Sequence, residues 1–138
     1  MRHPLHPAIV HFPVACWLLA VAADVAGLRF GESAWRWSSG LLVAGSAMAL
    51  PAMLAGLLEL RQVPEGAPMR DAYAHMVAML MAFVLFAARL LLWQEHGHSL
   101  PPGLPAMLLD AAGTAALVTG GWFGGRLVYG HGVGRGRP

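Results

Sequence analysis

The sequence predicts an all-α protein, an antiparallel four-helix transmembrane bundle running up-down-up-down. Three observations carry this. Residues 37–58 contain no ionisable side chain, and about 20 apolar residues are what an α-helix needs to cross the hydrocarbon of a bilayer. Three other apolar stretches of similar length accompany that run. The connections between them are short, which forces neighbouring helices antiparallel. Composition agrees: 57% of the 138 residues are hydrophobic and 12% charged, so lipid rather than water is the expected solvent. One domain, 1–138, accounts for the chain.

The first span is expected over 7–28. Arg2, the apolar run and Ala20-Val21-Ala22 superficially match a cleaved signal peptide, but Pro7, His11 and Pro13 interrupt it, so the segment is retained as a helix. The second span covers 38–58, with Pro51 expected to kink it. The third covers 72–94 and the fourth 104–125. Small residues four apart mark close helix approaches: Gly45 with Ala49, Ala52 with Gly56, Gly120 with Gly124, and Gly121 with Gly125. These glycine-rich faces would also permit oligomers. The connections run from Arg29 to Trp37, from Glu59 to Asp71 and from Glu95 to Gly103. A flexible basic tail occupies 130–138; its glycine string lacks the strand and helix that a phosphate cradle requires.

Nine arginines and no lysines give a net charge of +2. Because the arginines cluster at span ends they read as topology signals, and nucleic-acid binding is disfavoured. The N-terminus, second connection and tail hold Arg2, Arg61, Arg70, Arg126, Arg135 and Arg137, against Arg29, Arg36 and Arg89 opposite. That imbalance predicts that both termini of a multi-pass membrane protein lie in the cytoplasm. Trp35, Trp37, Tyr73, Trp93, Trp122 and Tyr129 lie near span ends, as interfacial aromatics do. Cys16 is the only cysteine, so no intrachain disulfide forms.

Topology then sorts the titratable residues into two layers. His6, His11, Glu59, His75 and His131 converge on the predicted cytoplasmic face. Asp24, about 20 Å along the helix from His11 at 1.5 Å per residue, falls level with Arg89 and Asp110. That deeper layer reads as a structural ion pair in which Arg89 meets Asp24 or Asp110. The matched offsets of His11 with His75 and Asp24 with Arg89 hint at two helix-pair repeats.

For the histidine layer several readings stay open. His11 and His75 are interfacial residues bonded to carbonyls or to Glu59, or they ligate. Two histidines on facing helices are what a six-coordinate haem b iron needs. Met79, one turn from His75, together with Met53 and Met76, would suit Cu(I). His6 and His11, five residues apart, do not share a helical face, although with Glu59 and His75 they would make a zinc or iron site. His96 and His98 sit in the opposite connection. No catalytic triad, zinc-protease motif or carboxylate pair can be assembled, so an enzyme is not expected.

The opening HPLHPAIVHFPVA, GLLELRQVP after the second span, the isolated His75 and the ending GGRLVYGHGVG resemble the bacterial membrane family DUF2231 over essentially the whole chain. The family motifs fall on His6, Pro7, His11, Phe12, Pro13, Gly56, Glu59, His75, Gly124, Gly125, Leu127, Val128 and Tyr129. Two departures stand out: Glu59 replaces a more usual aspartate, and His131 lies outside the last motif. The resemblance implies a compact four-helix membrane protein. Relatives joined to Rieske-type or c-type cytochrome domains imply a link to membrane electron transfer.

Two functions follow as expectations. One is an electron-transfer module in which His11 and His75 bind haem b, with His6 and Glu59 as hydrogen-bonding support, serving a quinone or a membrane redox protein. The other is a non-enzymatic accessory subunit that binds copper or zinc, or nothing. Transport has little support, because no polar stripe joins the two layers.

Overall fold

The computed structural model describes residues 5–95 and 98–134. It is an all-α antiparallel four-helix bundle: α1 (Leu5–Phe30), α2 (Glu32–Glu59), α3 (Ala67–Leu92) and α4 (Leu104–Gly125). All four are long and apolar enough to cross a membrane. A two-residue strand pair, β1 (Gln94–Glu95) with β2 (His98–Ser99), closes the connection between α3 and α4. That strand pair was not expected from sequence. His96 and the tail beyond residue 134 lie outside the described residues.

α1, α2 and α3 are longer than hydropathy alone predicts, because their ends are punctuated by single residues, whereas α4 has the expected bounds. The stretch from Arg29 to Trp37, expected as a loop, is helical except at Gly31. There φ is 72°, a conformation that glycine alone adopts without strain. Trp35 and Trp37 therefore belong to α2. Likewise α3 begins at Ala67, after Gly66 at φ 94°, with Pro68 in its first turn. A first-turn proline costs nothing, since its missing N–H would have no helical partner. At the other end of the bundle α4 runs into a π turn, Arg126–Gly130.

α1 packs mainly on α2, and α3 on α4, giving two hairpins. Glycine sets the intimacy within each. A Cβ on Gly45 would come within 3.0 Å of Cys16 and Trp17, and one on Gly113 within 2.8 Å of Phe86. The hairpins meet across large side chains on α1 and α3. Trp17 stacks on Phe86 with centroids 5.2 Å apart and planes inclined by 16°, and Phe83 meets Trp17 edge-on. Leu18, Leu19, Val25, Val77, Leu91 and Val118 point outward, the inverse of a soluble protein and suited to acyl chains.

The buried faces show that the two hairpins are repeats. Ser38, Leu42, Gly45, Ala49 and Ala52 are buried in α2, and the buried set of α4 is Ala106, Asp110, Gly113, Leu117 and Gly120, each 68 positions later. On α1 and α3 the buried Pro13, Trp17 and Ala20 match Ala82, Phe86 and Arg89 at 69 positions. α1 and α3 run in the same direction, so this is a parallel repeat about an axis along the membrane normal. The offsets of 64 and 65 suggested by His11 with His75 and Asp24 with Arg89 are therefore wrong. At the true offset of 69 the counterpart of His75 on α1 is His6, not His11.

Candidate functional site

His6 lies in the first turn of α1 and is held there twice. Its backbone N–H, one of the donors that a helix start leaves without a partner, donates to Glu59 Oε1 at 3.1 Å. Its ring Nδ1 is 2.7 Å from the Ala52 carbonyl of α2. The ring fits because residue 56 is glycine: a Cβ there would stand 3.0 Å from His6 Nδ1. Glu59 thus caps α1 through the main chain rather than orienting an imidazole.

The second hairpin repeats the arrangement. His75 Nδ1 lies 2.8 Å from the Gly120 carbonyl of α4, and a Cβ on Gly124 would stand 3.2 Å from the His75 ring. Ala52 with Gly120 is one of the 68-residue pairs of the buried faces, and Gly56 with Gly124 has the same offset. The two imidazoles meet across the repeat axis with centroids 6.0 Å apart and planes at 84°.

A carbonyl oxygen only accepts, so both Nδ1 atoms carry the proton and donate it. In its neutral form each ring then has an Nε2 lone pair. Hydrogen-bonding the far ring nitrogen is how proteins orient imidazole ligands and set their tautomer. Carbonyl bonding, one of the sequence readings of His11 and His75, describes His75; the second ring held this way is His6. It leaves their ligating nitrogens uncommitted.

His11 does not join this pair. It lies on an exposed face of α1, and the imidazole that meets His75 is that of His6. The cause is helical geometry: five residues at about 100° each turn a side chain about 140° away. With His6 facing the axis, His11 faces outward. Met79 packs against α4, where a Cβ on Gly120 would stand 2.6 Å from its Sδ. The sulfur lies beside the residue whose carbonyl holds His75. Met53 and Met76 are half-buried.

Around the pair lies a residue that sequence reasoning missed. Asp71, buried one turn before His75, takes His131 Nε2 at 2.8 Å and Arg126 Nε at 3.1 Å on the same oxygen. The π turn delivers both partners, since its extra residue per turn redirects the chain after Gly125. The i, i+4 spacing of Asp71 and His75 was the available signal. The glycines divide similarly. Gly120 and Gly124 face inward to Met79 and His75, whereas an added Cβ on Gly121 or Gly125 meets nothing within 4 Å.

The other polar layer lies toward the opposite face. Arg89 Nη2 is 2.6 Å from Asp24 Oδ2, and Arg89 Nε is 3.8 Å from Asp110 Oδ1. All three side chains are essentially inaccessible. The guanidinium also lies 5.3 Å from the Trp93 ring centroid, within cation–π range. Between this layer and the histidines stands the Trp17–Phe86 stack.

A groove of about 530 Å³ between α3 and α4 is lined by Tyr73, Ala74, Val77, Ala78, Met81 and Thr119 among others. It is apolar and open to the lipid side. Among the described residues no three His, Cys, Asp or Glu side chains group as a metal cage.

A family model described as "Predicted membrane protein (DUF2231)" matches residues 2–137. No curated protein and no solved structure matches the chain.

Proposed function

Because the chain belongs to the DUF2231 family of membrane proteins, whose description stops at the bilayer, we propose a function from the imidazole pair: an accessory membrane protein, not an enzyme, that binds one Cu(I) ion between His6 and His75. The observation that carries this reading is the double tether. Both Nδ1 atoms are held on helix carbonyls at 2.7 and 2.8 Å, with the ring centroids 6.0 Å apart. Two metal–nitrogen bonds of about 2 Å each bridge such a gap. Four-coordinate zinc is less well served, since among the described residues no three His, Cys, Asp or Glu side chains come together. Cu(I), a soft d10 ion content with two neutral donors, suits imidazole. Met79 offers a thioether one turn deeper.

Haem b is the second reading, favoured by the same centroid spacing, for iron takes one imidazole on each side. It asks more of the fold. Gly56 and Gly124 give their space to the imidazoles themselves, so a porphyrin needs the α1–α2 hairpin to part from α3–α4. In either reading the site exchanges electrons or metal with a separate partner, a quinone or a membrane redox protein.

The arginine distribution supports a cytoplasmic location for this face. Arg61, Arg70 and Arg126 lie on it, whereas Arg89 opposite is neutralised by Asp24 and leaves only Arg29 and Arg36 as topology signals there. A cytoplasmic face is also the reducing one, where copper is Cu(I).

The test is a Cu(I) competition titration on protein purified in detergent, reduced with ascorbate, against a chromophoric Cu(I) chelator. One ion per chain is expected, lost in His6→Ala and in His75→Ala and retained in His11→Ala. Failure to hold copper, or equal loss in His11→Ala, overturns the reading. A dithionite-reduced minus oxidised spectrum with haem bands that disappear in the first two variants assigns the pair to haem iron instead.

A further inference from the structure

The deeper polar layer is more than an ion pair. Two carboxylates, Asp24 on α1 and Asp110 on α4, share one guanidinium, Arg89 on α3, and all three are at least 98% buried. Ionised throughout, the group would carry one uncompensated negative charge inside the apolar bundle, the situation that buried sites avoid by taking up a proton. Arg89 has chosen its partner: its Nη2 lies 2.6 Å from Asp24 Oδ2 but its Nε only 3.8 Å from Asp110.

The unsatisfied atoms point to what is missing. Asp24 Oδ1 and both oxygens of Asp110 are buried with no donor in reach, although the carboxyls of Asp24 and Asp110 approach within hydrogen-bonding range. Two facing carboxylates are both acceptors, so neither satisfies the other. A hydrogen on Asp110 turns that contact into a donor–acceptor pair, as in carboxyl dyads that share one proton. A separate orphan lies in the same layer. Ser38 Oγ on α2 is fully buried without a partner, and it stands as many residues after the Gly31 reversal as Asp24 stands before it. Among the described residues α2 brings no buried ionisable side chain to this level, its nearby Arg36 being exposed, so no other buried charge balances the group.

We infer that Asp24, Arg89 and Asp110 form a proton-binding site within the bundle. At neutral pH one proton resides on Asp110 and is donated to Asp24, which serves as the counter-ion of Arg89. The chemistry is simple: an O–H bond forms on the Asp110 carboxylate from an aqueous proton, and no other reactant is involved. The site is chemically independent of the histidine pair, from which the Trp17–Phe86 stack separates it.

Infrared spectroscopy of the full-length protein in lipid at neutral pH tests this. A protonated-carboxyl C=O band that shifts in D2O is expected, and it should vanish in Asp110→Asn. That variant should keep the wild-type melting midpoint, because the neutral amide replaces a neutral acid and still donates to Asp24. Asp24→Asn should also abolish the band, since Asp110 must then ionise to balance Arg89. A wild-type spectrum with no such band overturns the inference without any variant needing to fold. So does a band that survives Asp110→Asn, or stability that depends on sodium concentration with every carboxyl ionised.

Discussion

Replacing Gly124 with alanine probes the link between packing and the imidazole pair. The new Cβ would stand 3.2 Å from both Cε1 and Nδ1 of His75, inside the 3.5–4.0 Å of ordinary contact. The ring must give by a few tenths of an ångström. It has little freedom to do so, since Nδ1 is bonded to Gly120 at 2.8 Å and the other flank faces His6. Loss of the tether costs about 1 kcal/mol, and disturbing such an orienting bond typically weakens metal affinity by about 10–100-fold. Gly56→Ala, with its Cβ 3.0 Å from His6 Nδ1, should weaken Cu(I) binding by a similar factor, because the hairpins are repeats. Gly121→Ala is the control: its Cβ meets nothing, and alanine is the better helix former by about 1 kcal/mol. The assay is the chelator competition titration, with helical circular dichroism to confirm folding. If Gly56→Ala and Gly124→Ala bind Cu(I) as tightly as Gly121→Ala, the tethers do not prepare a site and the ligand argument fails.

Other consequences are structural. Gly113→Ala drives a Cβ to 2.8 Å from Phe86, a fully buried ring backed by Trp17. Overpacking of this kind costs about 1–3 kcal/mol, seen as a lowered unfolding midpoint in mixed micelles; an unchanged midpoint refutes the stacked core. Arg89→Ala removes the counter-ion of Asp24 and should cost about 3–5 kcal/mol, the largest loss of the set; the same titration reads it. Asp71→Asn weakens the bonds to His131 and Arg126. With Arg126 half-exposed, solvent screening keeps the loss near or below about 1 kcal/mol. Its signature is faster amide exchange confined to residues 126–134, and exchange spread over all four helices counts against a local clasp.

Part of this protein is written locally and part is not. The number of spans, their order and their residence in a membrane are sums over neighbouring side chains, so apolar run length is enough to read them. Asp24, Arg89 and Asp110 were also legible, because charges at matching depths in antiparallel helices have few other partners in lipid. Helix ends were less so: at Gly31 and Gly66 one backbone angle decides where a helix stops, and hydropathy does not register it.

The identity of the meeting histidines belonged to the tertiary structure. A helix turns its side chains by about 100° per residue, so choosing between His6 and His11 depends on which face of α1 packs inward. That face is set by Gly45 and Gly56 admitting Trp17 and His6, contacts made across more than twenty residues of chain. The recurrence of those glycines at 113 and 124 was present in the sequence from the start. It acquired meaning only when the packed helices showed that both sets do the same work, making room for a large ring where two backbones come close.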